Sequence, residues 1–384
     1  MTVSENATTG VKLCRITCSV HQRLSPRVID RLREIGIRSV LVENGRTVRQ
    51  RRYRRRSGVR RRTVRLEDSP VELFRFSVAP EHAQPIIRSL IEAAEMDVPG
   101  RGAVFAQAVT EYVEPGPVLV DSTHLGTWPA DLPMLSDLAL ITCVLSTAGG
   151  GENLARLALE LGTGVPIVTL GTGTGMRDRL GLLRITVPPA KELVHLLVPA
   201  LDAEGVIRQL VEEGKLNRPG RGFVYSAAVQ SGVLDTRLQI GPQEHAASIE
   251  QVVAAIDELK VGTAWRRRFP GLDQSAGFRL SRNHSEIVFV CSEERSGVFV
   301  DAAMQAGARG ATTMRVRRLR KDDSSLGDAA RERCIITVPS PVRDSVVNRI
   351  LEAHNGDRDG LDCLETLPAP VAYTFLRAPG RSRP

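Results

Sequence analysis

Aromatic residues are scarce, only 4% of the 384-residue chain, so Leu, Ile, Val and Ala must fill whatever core it forms. Long apolar runs are absent. Nothing approaches the roughly 18 consecutive apolar residues of a membrane span, so no membrane insertion is expected. The opening "MTVSENATTG" lacks the charged and apolar regions of a signal peptide, which makes the cytoplasm the expected compartment. There are six cysteines, with no C-x-x-C pair and no histidine at zinc-ligand spacing, so they read as small buried hydrophobes. The seven histidines are scattered. No HExxH or GxSxG occurs, and "GTGTGMRDRLG" (171–181) lacks the Gly-Lys-Ser/Thr of a Walker loop. These absences argue against metal, redox and nucleophilic chemistry, and the chain is not expected to be an enzyme.

What is abundant is arginine, in one place. "RQRRYRRRSGVRRR" (49–62) holds nine arginines and no acid, and without them the formal charge of +8 becomes −1. The basic character therefore resides in one segment, which points to an anionic partner at one location.

The chain repeats itself. "IIRSLIEAAEMDVPGRGAVFAQAV" (86–109) aligns without a gap on "VIRQLVEEGKLNRPGRGFVYSAAV" (206–229), at an offset of 120. A weaker third copy is "VVNRILEAHNGDRDGLDCLETL" (346–367). Each copy reads as an amphipathic helix, a glycine turn and an alternating strand. Upstream of each lies a strand ending at proline: "LFRFSVAP" (73–80), "LLRITVPP" (182–189) and "CIITVPSP" (334–341). Further upstream, a strand leads into a helix that stops at glycine, and a second strand follows. The reading is an α+β protein of three tandem split-βαβ, ferredoxin-like units, each βαββαβ. They span 10–114, 138–240 and 284–378, the last degenerate. A Pro/Gly-rich linker (115–137) and a helical, basic connector (241–283) join them. Each unit's sheet is covered by helices on one face and left bare and apolar on the other. Three bare faces on one chain should close on each other.

A βαββαβ unit with a long second loop and a glycine-rich turn after its second helix resembles the PII signal-transduction proteins. "VIDRLREIGIRSVLVENGR" (28–46) is similar to the family's first helix, second strand and T-loop start. "IIRSLIEAAEMDVPGRGAVFAQAV" is similar to its second helix, B-loop and fourth strand. PII proteins are homotrimers, so the resemblance implies a single-chain, self-contained pseudo-trimer. It also implies a signal-transduction regulator with nucleotide clefts between units and an adenine nucleotide as effector. No tightly held cofactor is expected. Glycines let backbone N–H groups approach phosphate, and arginine adds charge. The ligand residues so implied are Gly100, Arg101 and Gly102, then Gly220, Arg221 and Gly222, with Gly45 and Arg46, and Gly175 and Arg177, at the T-loop bases. The family's lysine after the second B-loop glycine is replaced by Ala103, Phe223 and Asp362, so the third unit is expected to have lost its site. A purely structural tight turn accounts for Pro-Gly-Arg-Gly equally well.

The arginine segment falls within the T-loop position (44–65) of the first unit and is expected to be extended when free. Its contact residues are Arg49, Arg51, Arg52, Tyr53, Arg54, Arg55, Arg56, Arg60, Arg61 and Arg62. An acidic protein target, a transporter or metabolic enzyme by the family resemblance, suits guanidinium best. The alternative from another class is a nucleic-acid-binding or scaffold protein without small-molecule sensing, in which the arginines neutralise phosphates. Anionic lipid comes third, because no apolar anchor accompanies the charge.

Overall fold

The computed structural model describes residues 10–37, 39–53, 63–98, 100–113, 120, 134–146, 149–161, 163–175, 190–235, 278–320, 329–355 and 360–375. The expected linker lies almost wholly outside these residues, as do most of the connector with its predicted helix (244–260), Arg54–Arg56, Arg60–Arg62 and Arg177. Within the described residues no helix is long and apolar enough to cross a membrane.

The protein is α+β, and its strands pair antiparallel. The first group contains β1 (Val11–His21), α1 (Ser25–Glu34), β2 (Ser39–Tyr53), β3 (Thr63–Val78), α2 (Pro80–Ala94) and β4 (Gly102–Glu111). The second contains β5 (Leu135–Leu145), α3 (Gly150–Glu160), β6 (Ile167–Gly175), β7 (Ala190–Pro199), α4 (Ala203–Glu213) and β8 (Gly222–Val233). The third contains β9 (Ser281–Ser292), α5 (Ser296–Gln305), β10 (Gly310–Arg320), β11 (Ala329–Pro339), α6 (Ser340–Asn355) and β12 (Leu361–Thr374).

Local chemistry sets these boundaries. Pro26 lies in the first turn of α1, where its missing N–H costs nothing. Gly36, at φ 82°, ends that helix and lets the Ile37 N–H return to the Leu32 carbonyl at 2.9 Å. Helix α2 buries Ala83, Ile86, Ile87, Leu90, Ile91 and Ala94, a stripe at helical spacing. It stops where Glu95 turns left-handed at φ 52°. Lys215, 120 residues on, does the same at φ 57° after α4.

The four strands of each group pair in one order: β2-β3-β1-β4, β6-β7-β5-β8 and β10-β11-β9-β12. The groups then join through like strands. β2, β6 and β10 pair with one another, and so do β4, β8 and β12. Every described strand therefore has a neighbour on both sides along part of its length, and only the outer ends of β2 and β3 pair with each other alone. The outward faces pack on the helices as three separate apolar cores, centred on Phe74 and Ile86, on Ile141 and Leu210, and on Phe289 and Val346. The inward faces meet at the centre.

Three expectations need correcting. The strand before the second group's second helix is Ala190–Pro199, not 182–189, which lies outside the described residues. Both stretches are apolar runs ending at proline, so punctuation alone could not choose between them. The segment 44–65 is mostly strand rather than loop: β2 runs on to Tyr53 and β3 begins at Thr63. Finally, the inward faces are not simply apolar. Arg15, Glu43, Arg75, Glu286, Arg333 and Glu365 are all buried there.

Candidate functional site

The two Gly-Arg-Gly turns share one backbone. Gly100 and Gly220 have φ 87° and 73°, and Gly102 and Gly222 have φ 143° and 145°. The second glycine starts a strand against its neighbour. A β-carbon on Gly102 would stand 2.0 Å from the Ser19 carbonyl oxygen, and one on Gly222 2.1 Å from that of Val144. The fold thus demands both glycines whether or not a ligand visits.

The first turn opens on a cleft of about 20 Å3, lined by Ser19, His21, Thr47, Gly100, Arg101 and Asp235 among others. Its chemistry is already engaged. The Gly100 N–H donates to Asp235 Oδ1 at 2.8 Å, so a carboxylate stands where a phosphate oxygen would. Arg101 bridges Glu95 at 2.9 Å. In the second turn the Arg221 carbonyl accepts from the Ser146 N–H at 3.0 Å, and Arg221 itself is exposed.

Gly45 and Arg46 sit in β2 at its seam with β6, where Gly45 faces Thr169 and Arg46 faces Val168. Arg46 approaches Glu192 at 3.6 Å. That carboxylate also accepts from the Gly151 N–H at 2.6 Å and the Gly149 N–H at 3.3 Å, so the start of α3 is already capped by an acid. Gly175 faces Gly310 across the β6–β10 seam. Of these predicted ligand residues, only the first Gly-Arg-Gly lines the cleft, and Thr47 represents the T-loop base there.

The arginine segment begins inside a two-stranded ribbon. β2 and β3 stay in register from Leu41↔Arg75 out to Tyr53↔Thr63, with Arg49 opposite Glu67 and Arg51 opposite Arg65. Among the described residues β2 and β3 have 15 and 16 residues and β6, β7, β10 and β11 have 9 to 11, the last four adjoining stretches (176–189 and 321–328) outside the described residues. The backbone thus carries Arg49, Arg51, Arg52 and Tyr53 away from the seams on one hairpin.

The sequence did not suggest the buried charged layer at the centre. Arg15 donates to Glu365, to Gln107 at 2.8 Å and to Glu286 at 3.3 Å. Burial works against the Arg15 charge, but the two carboxylates more than offset it. Arg75 pairs with Glu43 at 2.5 Å. Burial works to raise the Glu43 carboxyl, but the Arg75 and Arg333 guanidinium groups outweigh it and hold the pKa below its usual range. His195 is pushed down to about 4, chiefly by burial, and shares hydrogen bonds with Thr142 and Thr169. The one signal in the sequence was a charged residue at the inward-facing parity of an apolar strand, as in "KLCRITCSV" and "LFRFSV". A single sheet seen alone would show such residues to water.

Where β12 meets β4, Glu111 lies directly opposite Glu365. Burial, and then the Glu365 charge, push the Glu111 carboxyl up to about 8. The folded protein therefore keeps a proton that the unfolded chain releases above about 4.5. Stability should fall as pH rises from about 4.5 to about 8, and at pH 7 this one carboxyl costs about 3 kcal/mol. Glu111→Gln should recover most of that at pH 7 and flatten the slope. Urea unfolding at pH 5, 7 and 8.5 checks it; parallel curves for the two proteins would contradict the assignment.

Neither a protein-family model nor a curated protein sequence matches the chain. Among solved structures, a microcompartment protein from Desulfitobacterium hafniense DCB aligns over 61% of this chain and 95% of its own, at 10% identity and a TM-score of 0.17. A likeness that weak carries no argument about fold or role.

Proposed function

We propose that the chain is three ferredoxin-like units closed into a PII-like pseudo-trimer. In this reading it is a non-enzymatic regulator or adaptor that grips an acidic protein target with its arginine-bearing hairpin. The observation that carries the reading is the β2–β3 ribbon: its strands stay paired out to Tyr53 and Thr63, and the run of nine arginines begins on it. Guanidinium groups on a ribbon present forked donors to carboxylates, which favours an acidic surface. The common strand order of the three groups and the pairing of like strands support the pseudo-trimer. An effector anion, an adenine nucleotide by the family resemblance, would enter the cleft beside Gly100 and Arg101. There it would displace Asp235 from the Gly100 N–H.

The test uses nuclease-treated full chain titrated with polyglutamate and with a short DNA duplex, each at two salt concentrations. Polyglutamate should bind. Replacing residues 54–62 by Asn-Gly, a two-residue hairpin turn, should remove that binding and leave the melting temperature within a few degrees. Tighter binding to the duplex, falling steeply with salt, would instead make the ribbon a nucleic-acid reader, since a two-stranded ribbon fits the major groove. Calorimetric titration with ATP, ADP, AMP and cyclic AMP, repeated on Arg101→Ala and Arg221→Ala, tests the clefts.

A further inference from the structure

Beyond the seams, the β2–β3 ribbon stands on its own. β6 pairs with β2 only at Gly45, Arg46 and Thr47, and β1 pairs with β3 only from Val71 onward. The six pairs from Val48↔Asp68 to Tyr53↔Thr63 lie outside both contacts, and among the described residues no third strand lies beside them. An open strand edge offers its row of backbone N–H and C=O groups to another chain.

The two edges differ in charge. The β2 edge, from Val48 to Tyr53, contains Arg49, Arg51 and Arg52, with no acid and no proline. The β3 edge contains Glu67 and Asp68, and Pro70 at its base lacks an N–H. An acidic strand is therefore drawn to the β2 edge. A second copy of this chain is not, because two β2 edges would set arginine against arginine.

The register also separates two faces. Alternate residues of a strand share a side, and paired residues lie on the same side. One face takes Arg49, Arg51, Tyr53, Thr63, Arg65 and Glu67. The other takes Val48, Gln50, Arg52, Val64, Leu66 and Asp68. The first face thus gathers three arginines against one acid, and the second gathers the apolar residues. Arg49 has Glu67 opposite, but Arg51 has Arg65 opposite, a like-charge pair that works against the ribbon.

We infer that the β2 edge accepts an extended segment of the acidic partner as a third strand, one in which acidic and apolar residues alternate. This mode of attachment rests on the acidic-target reading and adds how the target is held. Backbone hydrogen bonds along the edge supply the attachment, and the alternation selects the segment. An acid opposite Arg51 on the added strand falls on the arginine face and relieves the repulsion between Arg51 and Arg65. Apolar residues at the other parity extend the face of Val48, Val64 and Leu66.

The probe is a short peptide alternating Glu and Val, titrated into nuclease-treated full chain at physiological salt. One derivative carries N-methyl groups on its Glu amides, and a second carries them on its Val amides. Alternate N–H groups of a strand point to the same side, so one methylated set meets the β2 edge and the other faces away. The parent peptide should bind about tenfold more tightly than polyglutamate of equal charge. One derivative should keep the parent's affinity within about threefold, and the other should lose about tenfold or more. Arg51→Thr should weaken the parent by about tenfold, and Arg52→Thr, on the other face, by less than about threefold. Equal affinities of the two derivatives overturn strand addition, and so do equal losses for the two substitutions. Polyglutamate binding alongside either of those results leaves the acidic-target reading standing without it. Binding by neither polyglutamate nor the parent peptide overturns both.

Discussion

Gly222→Ala should destabilise the protein by about 3–5 kcal/mol, enough to unfold much of it at physiological temperature. Two costs combine. At φ 145° an L-residue is strained, and its β-carbon would stand 2.1 Å from the Val144 carbonyl oxygen in the adjacent strand. Backbone cannot yield as a flexible side chain can, so β5 and β8 would have to separate where Leu145 faces Gly222. Gly205 is the control: it lies in the first turn of α4, where a β-carbon would meet nothing within 4 Å, and Gly205→Ala should be neutral or mildly stabilising. Urea midpoints for the two variants separate a demand of the fold from a generic glycine effect. If Gly222→Ala costs less than about 1 kcal/mol, the turn tolerates a side chain, and its glycines are better explained by close approach of a ligand.

Arg15→Met should cost a further large amount, about 3–5 kcal/mol, because it leaves Glu365 and Glu286 buried without their shared cation. The three residues come from β1, β12 and β9, so the variant loosens the contact between the first and third groups rather than a single helix packing. Neutralising the carboxylates tests the cause. Glu286→Gln with Glu365→Gln in the Arg15→Met background should recover a good part of the loss, since a neutral interior of similar volume is tolerated. Equilibrium unfolding of the single, double and triple variants provides the comparison. Absence of rescue would mean that the Arg15 side chain matters for its volume and not for its charge.

Much of the element order was legible because proline and glycine punctuate it. Ser25-Pro26 and Gly36 bracket α1 as read, and the ungapped offset of 120 reappears in the paired left-handed residues Glu95 and Lys215. The cysteines read as buried are so at Cys14, Cys18, Cys143, Cys291 and Cys334, while Cys363 is half-buried. The ribbon was not legible. Nine like charges argue for an open loop, yet the β3 side reads "TVRLEDSPV", and its acids Glu67 and Asp68 lie opposite Arg49 and Val48. The charged interior was illegible for a different reason. Arg75 on β3 and Arg333 on β11 lie far apart in the sequence, and only tertiary assembly brings them to one place. The cleft was half legible: the glycines were found, but Asp235, which engages Gly100, lies 135 residues away.

The pairing of like strands also bears on how the chain is made. β4 is complete early in synthesis, yet one of its partners is β12, residues 361–374. β12 also pairs with β8 and β9. Until the ribosome has delivered that last strand, three finished strands each lack a neighbour. Pairing between segments so far apart in sequence is slow, and open strands are sticky while they wait. Chaperone demand should therefore be concentrated in the interval before β12 emerges, and a chain halted short of residue 361 should aggregate even though most of its helices and strands are already present.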